Sequence, residues 1–169
     1  MKKVLSKELL TELKAELKNT SFATGHEIDV RQKKAPGLAR INNERDKISY
    51  NVGMDHYSLT NDKLNNILYK ISGRDPEYLI SIHTVESITN SETYPHFDTN
   101  SGLSMSILLE DGFEGAELFV DGKNVNLVNE GDYVSFEGHK TKHYVTPVTS
   151  GKRKVLVLFY KYERASKLL

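Results

Sequence analysis

The sequence predicts a mainly β domain of the α+β class, in which short strands form a sandwich or barrel and helices pack on one side. Two observations support this fold class. Two amphipathic helical patterns occupy the N-terminal part, and from Tyr78 onward the pattern changes to short apolar runs separated by turn signals. The 169 residues are predicted to form one domain, with helices and a loop over residues 1–77 and the β core over residues 78–162.

Two helices are predicted before the β core. The first runs from Ser6 to about Lys18, with Ser6 as the N-cap and leucines at helical spacing, namely Leu9, Leu10, Leu13 and Leu17. The second runs from about Asp62 to Ser72 and ends at Gly73. Thr60 or Asn61 is its predicted cap, and its apolar stripe consists of Leu64, Ile67, Leu68 and Ile71. Both stripes are predicted to face the core.

The segment between these helices has no clear period. It contains several basic residues together with Pro36 and Gly37. A long irregular stretch in a compact domain is typical of a functional loop or a mobile hairpin. A surface meander without a role is the alternative.

The β core is predicted from a succession of short runs. In order they read YLISIHTV, LSMSILL, AELFVDG, KNVNLV, DYVSFEG, HYVTPV and KVLVLFYKY. The pair Asp121-Gly122 lies between two of these runs and predicts a tight hairpin. EDGFEG and NEGD are predicted to be turn-rich connectors.

The composition excludes several classes of protein. Lys plus Arg and Asp plus Glu are 23 each, so the balanced charge favours neither a nucleic-acid nor a membrane partner. There is no cysteine, which leaves His, Asp, Glu and water as the available metal ligands. The N-terminal stretch MKKVLSKELLTELKAEL lacks the continuous apolar run of a signal peptide, so a cytoplasmic location is expected.

The segment YPHFDTN, residues 94–100, places His96 and Asp98 two residues apart in a stretch that is typical of a strand. Since side chains alternate along a strand, both are expected on one face. His143 opens a later predicted strand and Arg153 follows ten residues on. Two imidazoles and one carboxylate are the ligand set of non-haem Fe(II) oxygenases. A hydrogen bond at a strand end is the simpler alternative for His96 and Asp98.

The chain resembles the 2-oxoglutarate and Fe(II)-dependent dioxygenases, and within them the prolyl 4-hydroxylase-like branch. The resemblance covers roughly Tyr78 to Tyr162 and rests on HFD, FEGAEL, GDYVSF and HYVTPVTSGKR. It implies that His96, Asp98 and His143 bind iron and that Arg153 binds the 5-carboxylate of 2-oxoglutarate. It also implies a double-stranded β-helix, which is a jelly roll of eight strands, with N-terminal helices supporting one sheet.

Other residues compete for these roles. His139 is the rival of His143 as the third ligand, and the Pro-Val spacing after residue 143 favours His143. Lys152 is the rival of Arg153 as the cosubstrate anchor, but the alternation of side chains along the strand predicts that Lys152 is exposed. His83 is expected to be a satisfied core or cleft residue. His26 and His56 are expected to be solvated.

The chain departs from the resembling family where cosubstrate contacts are expected. Leu108 stands in place of a tyrosine that commonly holds the cosubstrate carboxylate. Ser104 and Ser106 share its strand face and are the candidate replacements. The tyrosine that the family has on an earlier strand aligns near His83 or Thr84. Tyr94 is therefore a further candidate replacement for a cosubstrate contact. Ala116 stands where glycine is usual.

The resemblance also implies an activity. Fe(II), 2-oxoglutarate and O₂ are the expected cofactor and cosubstrates, with ascorbate supporting activity, and 2-oxoglutarate is decarboxylated to succinate while a C–H bond is hydroxylated. A peptidyl proline is the leading substrate. A free amino acid, a nucleotide or another small molecule is the first alternative, and a jelly-roll binding module without catalysis is the second. Residues 29–53 are predicted to cover the substrate, with Arg31 or Arg40 touching it.

Overall fold

A computed structural model of the chain describes residues 1–19, 46–51, 62–87, 89–90, 92–99 and 101–162. Within these ranges the helices are α1 (Lys7–Lys18) and α2 (Asp62–Ser72), and a 3₁₀ turn spans Pro76–Tyr78. The strands are β1 (Lys3–Val4), β2 (Asp46–Asn51), β3 (Leu79–Ser87), β4 (Thr93–His96), β5 (Leu103–Glu110), β6 (Phe113–Gly115), β7 (Leu118–Val120), β8 (Lys123–Asn124), β9 (Asp132–Phe136), β10 (His143–Val145), β11 (Val148–Gly151) and β12 (Arg153–Tyr160). In this part of the chain, no helix has the length and apolar character needed to cross a bilayer.

Both predicted helices are confirmed. At the start of α1 the Ser6 side chain accepts a hydrogen bond from the Leu9 N–H at 3.2 Å, which satisfies one of the unpaired amides of the first turn. Gly73 follows α2 with a φ of +68°, a conformation that glycine adopts at little cost. The predicted caps of α2, Thr60 and Asn61, lie outside the described residues.

The strands form three antiparallel sheets. The large sheet has the order β1-β9-β5-β12-β3-β2, and a small sheet has the order β4-β10-β7-β8. Strands β11 and β6 form a separate pair. The pairing of strands that are distant in sequence, such as β5 with β12 and β4 with β10, is what a jelly-roll topology requires.

Apolar side chains cover parts of both faces of the large sheet. One face packs against the helices, and its cluster includes Leu13, Leu68, Ile107 and Leu158. The other face packs against the small sheet through a cluster formed by Leu118, Val120, Val125, Leu127 and Val134. The fold is therefore a double-stranded β-helix with the N-terminal helices supporting one sheet, as predicted.

The hairpin predicted at Asp121-Gly122 is confirmed. Strands β7 and β8 pair across it, with Val120 opposite Lys123. Both turn residues have positive φ values, 51° and 75°, which match the tight turn that this residue pair favours.

The structure corrects the sequence prediction in two places. The segment EDGFEG was predicted to be a connector, but Phe113–Gly115 forms β6, because β11 offers it a partner edge. The loop predicted over residues 29–53 contains strand β2, which pairs with β3 at the edge of the large sheet. The rest of that loop, with Arg31 and Arg40, lies outside the described residues, as do His26 and His56.

Candidate metal centre

The register of two short strands brings His96 and His143 together. These residues are direct partners in the antiparallel pair of β4 and β10. Side chains of directly opposed residues project from the same face of a sheet. The two imidazole rings accordingly lie with their centroids 4.3 Å apart.

Asp98 completes a cluster of three buried polar side chains. The sequence suggested that Asp98 lies within a strand. Strand β4 ends at His96, however, so Asp98 lies just beyond it. Its Oδ1 is 3.3 Å from His96 Nε2 and its Oδ2 is 3.2 Å from His143 Nε2. One ligand atom from each of these three residues lies within 4.8 Å of the others.

The hydrogen bonds of the two imidazoles define which nitrogen is available. His96 Nδ1 is 2.7 Å from the carbonyl oxygen of Tyr94, and His143 Nδ1 is 2.9 Å from that of Thr141. Because a carbonyl oxygen only accepts, each Nδ1 carries the proton and donates. Nε2 is therefore the nitrogen of each ring that faces Asp98 and that a metal ion could bind.

Asp98 is ionised in this environment. Burial alone would raise the pKa of Asp98, but hydrogen bonds from His143 and His96, the charge on His143 and the Ser104 hydroxyl together hold this pKa below its usual range. The cluster therefore presents one carboxylate and two imidazole nitrogens.

These donors fit a divalent first-row metal. Two imidazoles and a carboxylate on one side of the metal make up the 2-His-1-carboxylate set of non-haem iron sites, which leaves positions open for other ligands. The backbone carbonyls that hold each Nδ1 are the outer-shell partners that such ligands usually have. The arrangement of His96, Asp98 and His143 thus agrees with the ligand set that the sequence suggested, although its metal remains a prediction.

Arg153 is buried at the start of β12. Only 4% of this residue is exposed, and it lies opposite Ser87 of β3. The flanking lysines face outward, where Lys152 is 3.5 Å from Glu86 and Lys154 is 3.7 Å from Glu110. The predicted inward parity of Arg153 is therefore confirmed, and Lys152, with a half-exposed side chain, is not the inward-facing cation.

The inner face of the large sheet carries further polar residues beside the metal cluster. Ser106 of β5, Val157 of β12 and His83 of β3 are partners across three adjacent strands, so they form one row on this face. His83 is 2% exposed, and burial lowers the pKa of this imidazole to about 4 against the attraction of Asp98, so it is neutral at pH 7. The buried position predicted for His83 is confirmed, and the role of Ser106 stays a prediction.

Two other sequence candidates lie elsewhere. Tyr94 is 52% exposed, and it contacts His96 through its main-chain carbonyl rather than through its side chain. His139, the rival third ligand, lies outside the cluster. Its Nδ1 is 3.1 Å from the carbonyl oxygen of Ser101 and its ring packs edge-on against Tyr162.

The structure shows contacts around the cluster that sequence reasoning missed. Ser104, considered from the sequence as a cosubstrate contact, donates a 2.6 Å hydrogen bond to Asp98 Oδ2. The Phe136 ring lies 4.7 Å from that of His143. No local signal in the sequence marks either contact, because both join residues that are brought together only by the strand pairing.

Comparison with known proteins supports the fold. No protein-family model matches the chain, and no curated protein matches it significantly. Among solved structures, a prolyl-4-hydroxylase from Pseudomonas putida is 17% identical, with a TM-score of 0.55 over 96% of this chain and 92% of that one. An oxidoreductase of the 2OG-Fe(II) oxygenase family from Burkholderia pseudomallei is 19% identical, with a TM-score of 0.53 over 69% of this chain and 66% of that one.

A third similar structure is the viral collagen prolyl hydroxylase of Paramecium Bursaria Chlorella virus-1, in a complex with 2OG. It is 14% identical, with a TM-score of 0.50 over 81% of this chain and 90% of that one. At these identities the likeness concerns the fold. This chain shares the architecture of those three proteins, and what it does must be argued from its own site.

Proposed function

We propose that this protein is an Fe(II)- and 2-oxoglutarate-dependent dioxygenase that hydroxylates an unactivated C–H bond, with a peptidyl proline as its substrate. The observation that carries the proposal is the convergence of ligand atoms of His96, Asp98 and His143 within 4.8 Å of one another, with both Nε2 atoms facing the carboxylate. Three protein donors leave coordination positions for a keto-acid chelate and O₂, which is what this reaction needs.

Iron held by His96, Asp98 and His143 would supply the oxidative chemistry: one atom of O₂ would enter succinate as 2-oxoglutarate loses CO₂, and the other would enter the substrate. The protein's part is to hold and to shield. His96 and His143 are fixed by their Nδ1 hydrogen bonds, and Asp98 contributes the negative charge. The buried walls exclude water from the oxidising centre.

Arg153 is the proposed anchor for the distal carboxylate of 2-oxoglutarate. A planar guanidinium pairs with a carboxylate through two parallel hydrogen bonds, which orient as well as bind. Its burial on β12 places this cation away from water, where an anionic ligand gains most from it. Ser106 and the neutral imidazole of His83 lie two rows from Arg153 on the same face of the large sheet, and they are proposed to line the same pocket.

The peptidyl-proline assignment draws on two similar structures whose names identify them as prolyl hydroxylases. Exposed aromatic residues beside the ligands also favour it, since Tyr94 and Phe97 are 52% and 46% exposed and flank His96. Exposed aromatic rings suit contact with an extended, proline-containing peptide.

The test is to incubate the protein with Fe(II), 2-oxoglutarate, ascorbate, O₂ and a proline-rich peptide, and to measure succinate and peptide mass. We expect succinate together with a mass gain of one oxygen atom on the peptide, and neither with an Asp98→Ala variant. Succinate without peptide oxidation would redirect the search to a small-molecule substrate. If the metal-loaded protein forms no succinate, the dioxygenase proposal is wrong and a binding module replaces it.

A further inference from the structure

Asp98 is held by its own loop and by a neighbouring strand. Its N–H donates to the carbonyl of Gly138 at 2.9 Å, and its carbonyl accepts from the Ser101 N–H at 3.2 Å. Its side chain accepts from the Ser104 hydroxyl at 2.6 Å. Both the main chain and the carboxylate of Asp98 are thereby held in place.

The Ser104 hydroxyl is committed to this contact. Ser104 lies on the inner face of β5 and is 2% exposed, so water does not compete for its proton. A second buried hydroxyl, on Ser101, lies 2.9 Å from Ser104 Oγ and 2.9 Å from the carbonyl oxygen of Leu103. A hydroxyl bond to a carboxylate this short is charge-assisted and about twice as strong as a neutral one.

Gly138 packs closely against both Ser104 and Asp98. A Cβ at this position would fall on the Ser104 Oγ and would lie 2.9 Å from the Asp98 Cβ. The main chain of residue 138 therefore packs against both partners of the hydrogen bond, at a distance that only glycine permits.

The two oxygens of Asp98 are consequently unequal. Among the described residues, Oδ2 accepts the Ser104 hydroxyl and lies 3.2 Å from His143 Nε2, whereas Oδ1 lies 3.3 Å from His96 Nε2 and accepts no hydroxyl. The Ser104 hydroxyl therefore holds the carboxylate in the orientation in which each of its oxygens faces one imidazole.

We propose that Ser104 is a positioning residue for the metal ligand Asp98: its buried hydroxyl holds Oδ2 and thereby fixes the orientation in which the carboxylate faces the two Nε2 atoms. This inference rests on the proposed function, because it concerns the same metal centre. It assigns to Ser104 a role on the metal side of the pocket and leaves Ser106, two residues along β5, on the cosubstrate side.

The test uses Co²⁺ as a spectroscopic probe on the apo-protein, without cosubstrate or turnover. We expect Ser104→Ala to weaken Co²⁺ binding by about 10- to 100-fold, the usual effect of losing an outer-shell partner, and to change the visible absorption of the bound ion as the carboxylate turns. Ser104→Thr, which keeps a hydroxyl, should recover most of the affinity and the wild-type spectrum.

The matched control is Ser135→Ala on the neighbouring strand β9. Ser135 is the partner of Met105, whose side chain faces the helices, so this hydroxyl lies on the opposite face of the large sheet from the metal cluster. The control should bind Co²⁺ with the wild-type affinity and spectrum. Equal losses in Ser104→Ala and Ser135→Ala would overturn the proposal.

A second variant reaches the same contact without changing Ser104. Gly138→Ala places a methyl group against the Ser104 hydroxyl, so it should weaken Co²⁺ binding and shift the spectrum in the same way. In the double variant with Ser104→Ala the space of the lost hydroxyl receives part of that methyl, so the two effects should not add. Additive effects would count against a shared contact.

The outcomes separate this inference from the proposed function. If the wild type binds Co²⁺ and Ser104→Ala matches it in affinity and spectrum, the role of Ser104 is wrong and the dioxygenase proposal stands. If the wild type itself binds no Co²⁺, the metal centre fails and the inference fails with it.

Discussion

His96 and His143 are 47 positions apart in sequence and direct partners in one antiparallel pair, with their ring centroids 4.3 Å apart. Strand β10 holds His143 in this position, because it pairs with β4 on one side and with β7 on the other. A shift of one residue in either pairing would turn one imidazole to the outer face. The register of a three-residue strand thus determines whether a metal centre forms.

The first prediction concerns the third ligand. His143→Ala should weaken Fe²⁺ or Co²⁺ binding by more than about 100-fold, since losing even an outer-shell partner costs 10- to 100-fold. His139→Ala is the matched control, because its ring contacts Tyr162 and the Ser101 carbonyl and lies outside the cluster. Calorimetric titration of the apo-proteins is the measurement, and a loss confined to the control would refute the assignment.

The second prediction concerns the buried cation. Arg153→Ala should raise the KM for 2-oxoglutarate by about 30-fold or more, because loss of a buried, hydrogen-bonded charge pair costs 2 to 5 kcal/mol. The KM of Arg153→Lys should lie between those of the wild type and Arg153→Ala, since lysine keeps the charge and loses the planar guanidinium. Metal affinity without cosubstrate should stay unchanged in both.

Lys152→Ala supplies the control for Arg153. This side chain is half exposed and its ammonium is 3.5 Å from Glu86, so its removal should leave the KM for 2-oxoglutarate at the wild-type value. Steady-state succinate formation at varied 2-oxoglutarate measures both effects. A larger rise for Lys152→Ala than for Arg153→Ala would reverse the assignment of the anchor.

Sequence reasoning succeeded where one physical rule acts within a single element. The inward parity of Arg153 follows from the two-residue repeat of a strand, and its neighbours Lys152 and Lys154 do face outward. The Ser6 cap and the Asp121-Gly122 turn are likewise local, since each depends on a few adjacent residues.

The features that sequence reasoning missed depend on two distant segments at once. Phe113–Gly115 becomes a strand only because β11 lies beside it, and its own residues read as a turn. The Ser104 bond to Asp98 requires the path of the main chain at Gly138, which packs against both groups. Such contacts are set by tertiary packing, which local propensity does not encode.

The third prediction concerns backbone strain at Ala116. This buried residue has a φ of +51°, where a Cβ is unfavourable by roughly 1 to 2 kcal/mol, and its N–H donates to the Pro147 carbonyl at 3.0 Å. Ala116→Gly would relieve this strain, but glycine adds entropy to the unfolded chain and removes a buried methyl group, so we expect a Tm within about 2 °C of the wild-type value.

The same substitution at Ala15 is the control for Ala116. Ala15 is exposed within helix α1, where glycine is less favourable than alanine by about 1 kcal/mol, so Ala15→Gly should lower the Tm. Thermal unfolding of the two variants, followed by circular dichroism, measures both. An equal fall in Tm for both substitutions would mean that positive φ at residue 116 carries no strain.

The fourth prediction concerns acid sensitivity from His83. Burial lowers the pKa of this imidazole from 6.5 to about 4 in the folded protein. As the pH falls below 6.5, the unfolded chain takes up a proton at His83 that the folded protein does not accept until about pH 4. Acid therefore favours unfolding across this interval, and the loss of stability from this one group approaches about 3 kcal/mol at the lower end.

A His83→Gln variant should lack this contribution. Its free energy of unfolding in urea, measured in the presence of a chelator, should fall less than that of the wild type between pH 6.5 and pH 4. The chelator keeps metal release at His96 and His143 out of the comparison. Parallel curves for His83→Gln and the wild type would show that His83 takes up its proton equally in the folded and unfolded states, which its burial on the inner face of β3 argues against.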